Sequence, residues 1–189
     1  MRRQLVCLAF LIVLGAHGAR ATVLLPAEFR EVVAGSEIIV HARVVDVRSQ
    51  WVDGRRRIES VVTVEILTPF KGGERRSLEF KVPGGQIGRY RSVMVGAPSF
   101  TPGEEAFLFL SEANSDAPLV FGLNQGVFRV RQDRVSGRRV VVPPPLMQAS
   151  AGGDAREPIL RGSPTRRPLE VDAFGAQVRT AIAQQGGAR

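Results

Sequence analysis

Between Glu37 and Val142 the chain repeats one pattern: short β-branched or aromatic runs with a period of two, each cut off by glycine or proline. This constrains the fold more than any other feature, because a period of two sends alternate side chains to opposite faces of a strand. In Ile38 to Val47 (IIVHARVVDV), Val40, Ala42 and Val44 share one face, while His41 and Arg43 share the other, read as the surface. The run VVDV implies a bulge or strong bend near Val45. Asp53-Gly54 is a hairpin signal, and Ile58 to Leu67 forms the return strand, Val62, Val64 and Ile66 alternating against Thr63 and Glu65. In Ser77 to Val82, Leu78, Phe80 and Val82 share a face.

The glycine loop Pro83-Gly84-Gly85-Gln86-Ile87-Gly88 interrupts the pattern, followed by a weaker strand over Tyr90 to Val95. Ala106 to Leu110 (AFLFL) reads as a fully buried strand, and Leu119 to Leu123 and Gly126 to Val130 as two more. Val135-Ser136-Gly137 turns the chain into Val140 to Val142. Short strands at this spacing, with no βαβ alternation, predict a mainly β sandwich or barrel.

The flanks are helical. Pro26 to Val33 (PAEFREVV) carries proline at its first position and Glu28 in its first turn, and stops at Ala34-Gly35-Ser36. Residues 143–167, rich in Pro, Gly, Ser and Arg without periodicity, read as a disordered linker. Residues 168–185 read as a C-terminal amphipathic helix starting at Pro168, with Leu169, Val171, Phe174, Val178 and Ile182 near one face. Such a stripe ordinarily packs on its own domain; a partner is the alternative.

Residues 1–21 read as a secretory signal peptide. Met1-Arg2-Arg3 is positive, Leu5 to Leu14 is apolar, and Ala19-Arg20-Ala21 offers a small-x-small site, with cleavage between Ala21 and Thr22. Ten residues as a helix span about 15 Å, half the hydrocarbon core, so the run is not a membrane anchor. Cys7 lies at the start of the apolar run, which excludes a lipoprotein site. The expected product is exported, periplasmic or secreted, with residues 22–142 as its β domain and no transmembrane anchor.

Cleavage removes the only cysteine, so no disulfide is expected, and one of two histidines. It also takes three of 26 basic residues and none of 18 acidic ones, leaving a net charge near +5. A zinc site of the usual type needs three or four His or Cys ligands, and a Ser-His-Asp arrangement needs an oriented histidine base; His41 alone remains. No metal, cofactor or catalytic residue is assigned. Carboxylate pairs such as Glu104-Glu105 leave a hydrolase as a minor alternative. One Trp and one Tyr are little material for base stacking, so nucleic acid is not an expected partner.

The candidate binding surface is the hairpin Trp51, Arg55, Arg56 and Arg57 with the loop Gly84, Gly85, Gly88 and Tyr90. A basic tip beside an aromatic ring suits anionic polymers, lipid head groups or an acidic protein. Such stretches are ordinarily a solvated hairpin end and a plain glycine connection; the binding surface is the alternative.

The runs SEIIVHARVVDVRSQW, LTPFKGG, VPGGQIG, VGAPSFTPGEEAFLFL and GLNQGVFRV resemble a group of exported bacterial proteins. Their domain is similar to the OB-type barrel of the netrin and tissue-inhibitor-of-metalloproteinases class. The resemblance covers about Thr22 to Val142 and implies a small OB-like antiparallel Greek-key barrel of five strands, with added strands and a helix. Inhibitors of that class reach their target zinc through a disulfide-tethered N-terminal cysteine, whereas the processed chain begins Thr22-Val23. The expected function is a non-enzymatic binding or interaction module, with an inhibitor or accessory domain of an exported peptidase as the alternative.

Overall fold

Two long strands organise the protein. In the computed structural model, which describes residues 27–112, 116–144 and 168–186, β1 (Ile38–Val52) and β2 (Arg57–Lys71) form a hairpin around Asp53-Gly54. The signal peptide with its Ala21/Thr22 cleavage site, the helix start at Pro26 and the linker beyond Pro144 lie outside the described residues.

The other strands are β3 (Ser77–Pro83), β4 (Gly85–Ile87), β5 (Tyr90–Ser92), β6 (Glu105–Ser111), β7 (Leu119–Val120), β8 (Val127–Gln132), β9 (Arg139–Val142) and β10 (Leu169–Glu170). Pairings β1–β2–β3–β7–β6–β1 close a five-stranded barrel with the strand order of an OB-type fold. Four joins are antiparallel. The fifth, β3 to β7, is parallel and rests on one residue pair, Lys81 with Leu119, so the wall is thinnest there. Strands β8, β9 and β10 extend from β6 as a side sheet. Strands β4 and β5 pair only with each other.

The alternation of the sequence resolves into two cores. Val40, Ala42 and Val44 of β1 and Ala106, Leu108 and Leu110 of β6 fill the barrel. Ile39 of β1 and Phe107 and Phe109 of β6 point outward into a second core. That core is capped by α1 (Phe29–Ala34) and α2 (Val171–Gly186), which bury Val32, Val33, Phe174, Val178 and Ala181. The AFLFL run is buried throughout because each of its faces serves a different core. The Phe174 ring lies 4.8 Å from Phe107, 5.1 Å from Phe128 and 5.7 Å from Phe29, centroid to centroid.

Several expectations are corrected. The first helix begins at Phe29, because Glu28 stays extended and its N–H donates to the Glu31 carboxylate. The C-terminal helix begins at Val171: Leu169 and Glu170 pair with β9, so Leu169 leaves the buried stripe. The strand expected over Tyr90 to Val95 stops at Ser92, since only Tyr90–Ser92 find partners, in β4. The strand expected over Leu119 to Leu123 is two residues long, because Gly122 and Leu123 adopt positive φ and turn the chain toward β8.

His41 is the largest correction. Read as a surface residue, it is 7 % exposed. It does occupy the face opposite Val40 and Ala42, but that face is the second core, covered by the helices, and the imidazole stacks on Phe107 at 4.4 Å.

Candidate functional site at the open end of the barrel

The site begins with the bulge. The β1–β2 register skips Val45, which is 56 % exposed. One extra residue reverses the strand's phase: before it Val40, Ala42 and Val44 face the barrel, after it Val47 does. Ser49 and Trp51 follow Val47 onto the same face, and both meet the glycine loop there. The Ser49 hydroxyl accepts from the Gln86 N–H at 3.1 Å, and Trp51 packs edge-on against Tyr90 with centroids 5.5 Å apart.

Glycine makes that closure possible. Gly84 and Gly85 have φ of 96° and 148°, a region side chains rarely enter. A Cβ on Gly85 would stand 2.5 Å from the Ser49 hydroxyl and 2.7 Å from that of Ser60. The loop is the positive-φ connection expected, tightened into the small β4–β5 hairpin, with exposed Gly88 (φ 57°) at its turn. It does not present a helix N-terminus to an anion.

This flap and the segment after it roof a cleft of about 530 Å³ floored by Val47, Val62, Val82 and Phe100, with Ser60 and Arg91 on its walls. A second cleft of about 500 Å³ runs from Val52 and Arg57 at the hairpin base past Val93, Met94 and Val95 to Leu119. A third, of about 210 Å³, sits at the thin β3–β7 join between Pro83 and Leu123. Volumes of the first two lie within the range of ligand sites.

The structure therefore joins Trp51, Gly84, Gly85 and Tyr90 in one assembly, with Arg57 at its border. Arg57 is tied to Asp53 at 2.6 Å. Arg55 and Arg56 are exposed at the hairpin tip, Arg55 with φ 66°, and neither they nor Arg91 make an ion pair among the described residues. Arg89 lies over the Tyr90 ring at 5.1 Å.

Sequence reasoning missed Val93, Met94 and Val95, which were read as strand but are 70 %, 44 % and 90 % exposed. The available signal was three aliphatic residues running without alternation into Gly96, in a stretch with no carboxylate between Glu79 and Glu104.

OB-type barrels commonly bind across the outer face of their second and third strands. Here that face carries Glu59, Val61, Thr63, Glu79 and Lys81, and its charges neutralise one another: Glu59 with Lys81 at 3.2 Å, Glu79 with Arg48 at 2.8 Å. It offers no aromatic platform.

A separate polar cluster surrounds Glu105. Its carboxylate lies 2.7 Å from His41 Nε2, accepts from Arg139, and stands 3.8 Å from Arg43. A histidine held by a carboxylate can be a base and its orienting acid. Here Nε2 is occupied by Glu105, a ring face is covered by Phe107, and neither residue lines the three clefts. Among the described residues no three His, Cys, Asp or Glu side chains converge as a metal site, and no helix is long and apolar enough to cross a membrane.

Burial is the largest influence on His41 and holds its pKa below the ordinary 6.5; Glu105 opposes this, while Arg139 and Arg43 reinforce it. The unfolded chain therefore takes up the histidine proton at higher pH than the folded one. The stabilisation is complete above the unfolded value and is lost as pH falls through 6.5 toward the lower folded value. Urea denaturation between about pH 7.5 and pH 5.5 should show falling stability, with the slope reduced in His41→Phe, which keeps the stack on Phe107. An unchanged slope would assign the effect to other groups.

The chain matches no protein-family model, no curated protein and no solved structure.

Proposed function

We propose that the chain is a non-enzymatic, exported binding module that presents the open end of its barrel to an anionic partner. One observation carries this reading: a Trp51–Tyr90 pair, the chain's only tryptophan and tyrosine, stands among Arg55, Arg56, Arg89 and Arg91, whose charge no carboxylate of the described residues balances. Elsewhere on the sheet Arg48 is paired with Asp46 and Glu79, and Arg129 with Glu104, while Arg131 of β8 is exposed without an ion pair among the described residues. Unbalanced positive charge at one end of a domain concentrates anions there and guides their approach. Export rests on the leader Met1–Ala21. The closed barrel and its strand order support the OB-type fold implied by the resemblance to the netrin and tissue-inhibitor class.

Retention on immobilised dextran sulfate tests the reading. The protein should bind at low salt and elute as salt rises. Arg55→Glu/Arg56→Glu should elute at distinctly lower salt. Arg75→Glu/Arg76→Glu, the same change of charge at the opposite end of β2, should elute later than that variant. Equal elution of the two double variants would reduce the interaction to net charge and overturn the site.

A further inference from the structure

We infer that the partner of this end is the surface of an anionic phospholipid bilayer, a step that rests on the binding-module reading. Three kinds of side chain that such a surface engages are gathered at this end. Val93, Met94 and Val95 form the apolar part, and the cleft beneath them reaches Val52 and Arg57 at the base of the hairpin. Val95, 90 % exposed, stands at the rim of that cleft with most of its side chain in solvent. A rigid protein partner would need a matching hollow, and a soluble polyanion makes no use of three aliphatic side chains. The boundary between head groups and acyl chains accepts a projecting aliphatic tip.

The aromatic part is Trp51 against Tyr90, the latter 51 % exposed. Rings with an apolar body and a polar edge favour head-group depth. The cationic part is Arg55, Arg56, Arg89 and Arg91, suited to phosphate by charge and geometry. From Phe80 to Gly103 there is no Asp or Glu to repel an anionic leaflet. A short aliphatic tip or a few arginines alone gives only marginal, reversible attachment; stable attachment takes two signals together, and both are present at one end of this barrel.

Trp51, the only tryptophan, is a built-in reporter. Its emission is followed in the full chain while phosphatidylcholine vesicles, with or without phosphatidylglycerol, are titrated in. The apolar run Leu5–Leu14 can enter lipid by itself, so the readout is Trp51 and the comparison is between variants of the same chain. A blue shift with phosphatidylglycerol, weakened by salt and absent with phosphatidylcholine alone, is expected. Val93→Asp/Val95→Asp, at exposed positions, should abolish the shift while leaving the thermal transition unchanged. Arg55→Glu/Arg56→Glu should weaken binding by at least about tenfold, and Arg75→Glu/Arg76→Glu by less. The inference is overturned if no phosphatidylglycerol-dependent shift occurs, or if the shift survives Val93→Asp/Val95→Asp. If that happens while dextran sulfate still discriminates the two arginine variants, the lipid assignment falls and the binding-module reading stands. If both tests fail, both fall.

Discussion

Replacing Phe174 with alanine is expected to destabilise the protein by about 3–5 kcal/mol, the usual cost of deleting a buried phenyl ring. Phe174 is 5 % exposed and its ring meets Phe29 of α1, Phe107 of β6 and Phe128 of β8. The vacated volume lies where two helices and two strands converge, and the barrel behind it cannot collapse to fill the gap. Urea denaturation measures the loss as a lower midpoint. The same substitution loosens the cover over His41, because Phe107 is the ring on which the imidazole stacks. Hydrogen exchange should therefore quicken in α2 and at Ile39–Ala42. A change below about 1 kcal/mol, the range of a tolerated surface substitution, would mean that α2 does not contribute to the second core.

Glu105→Ala should cost about 1–3 kcal/mol, the range for leaving a buried polar partner unsatisfied: the carboxylate is 13 % exposed, but Arg43 and Arg139 are half-exposed and burial disfavours the charged form of His41. The carboxylate is the shared acceptor of a cluster. Without it, His41 loses its hydrogen-bond partner in a place with little water, and Arg139 loses its carboxylate, while Arg43 keeps Glu65 at 3.9 Å. An unpaired buried polar group costs more than the pair itself contributes. His41→Phe should therefore recover part of the loss in the double variant, since an apolar ring needs no acceptor. Strictly additive effects of the two substitutions, by denaturant titration, would show that they do not share an interaction.

Much of the fold was legible because strand faces are a local property. The alternation of Val40, Ala42 and Val44 and of Leu78, Phe80 and Val82 located the barrel interior, and the VVDV run located the bulge at Val45. Asp53-Gly54 and Gly84-Gly85 located their turns, because few residues tolerate positive φ. The site was legible in pieces. In the sequence Trp51 stands out beside basic residues and Tyr90 beside a glycine loop, with nothing to join them. Their contact depends on the phase reversal at Val45, which aims Trp51 toward the loop. Val93 to Val95 were misread because an aliphatic run looks the same whether it finds a strand partner or not, and β4 is too short to supply one.

The sequence by itself determined the mainly β class, the strand phases and the turn positions. Only the tertiary structure decided what lies on each strand face. His41 alternates as a polar position should, yet it stacks on Phe107 in a core that α1 and α2 complete, and α2 begins 130 residues further along the chain. Periodicity reports which side chains point the same way; whether that direction meets water depends on distant segments docking there. For the same reason the exposed tip at Val93–Val95 and the unpaired arginines beside it became a single surface only when the barrel closed.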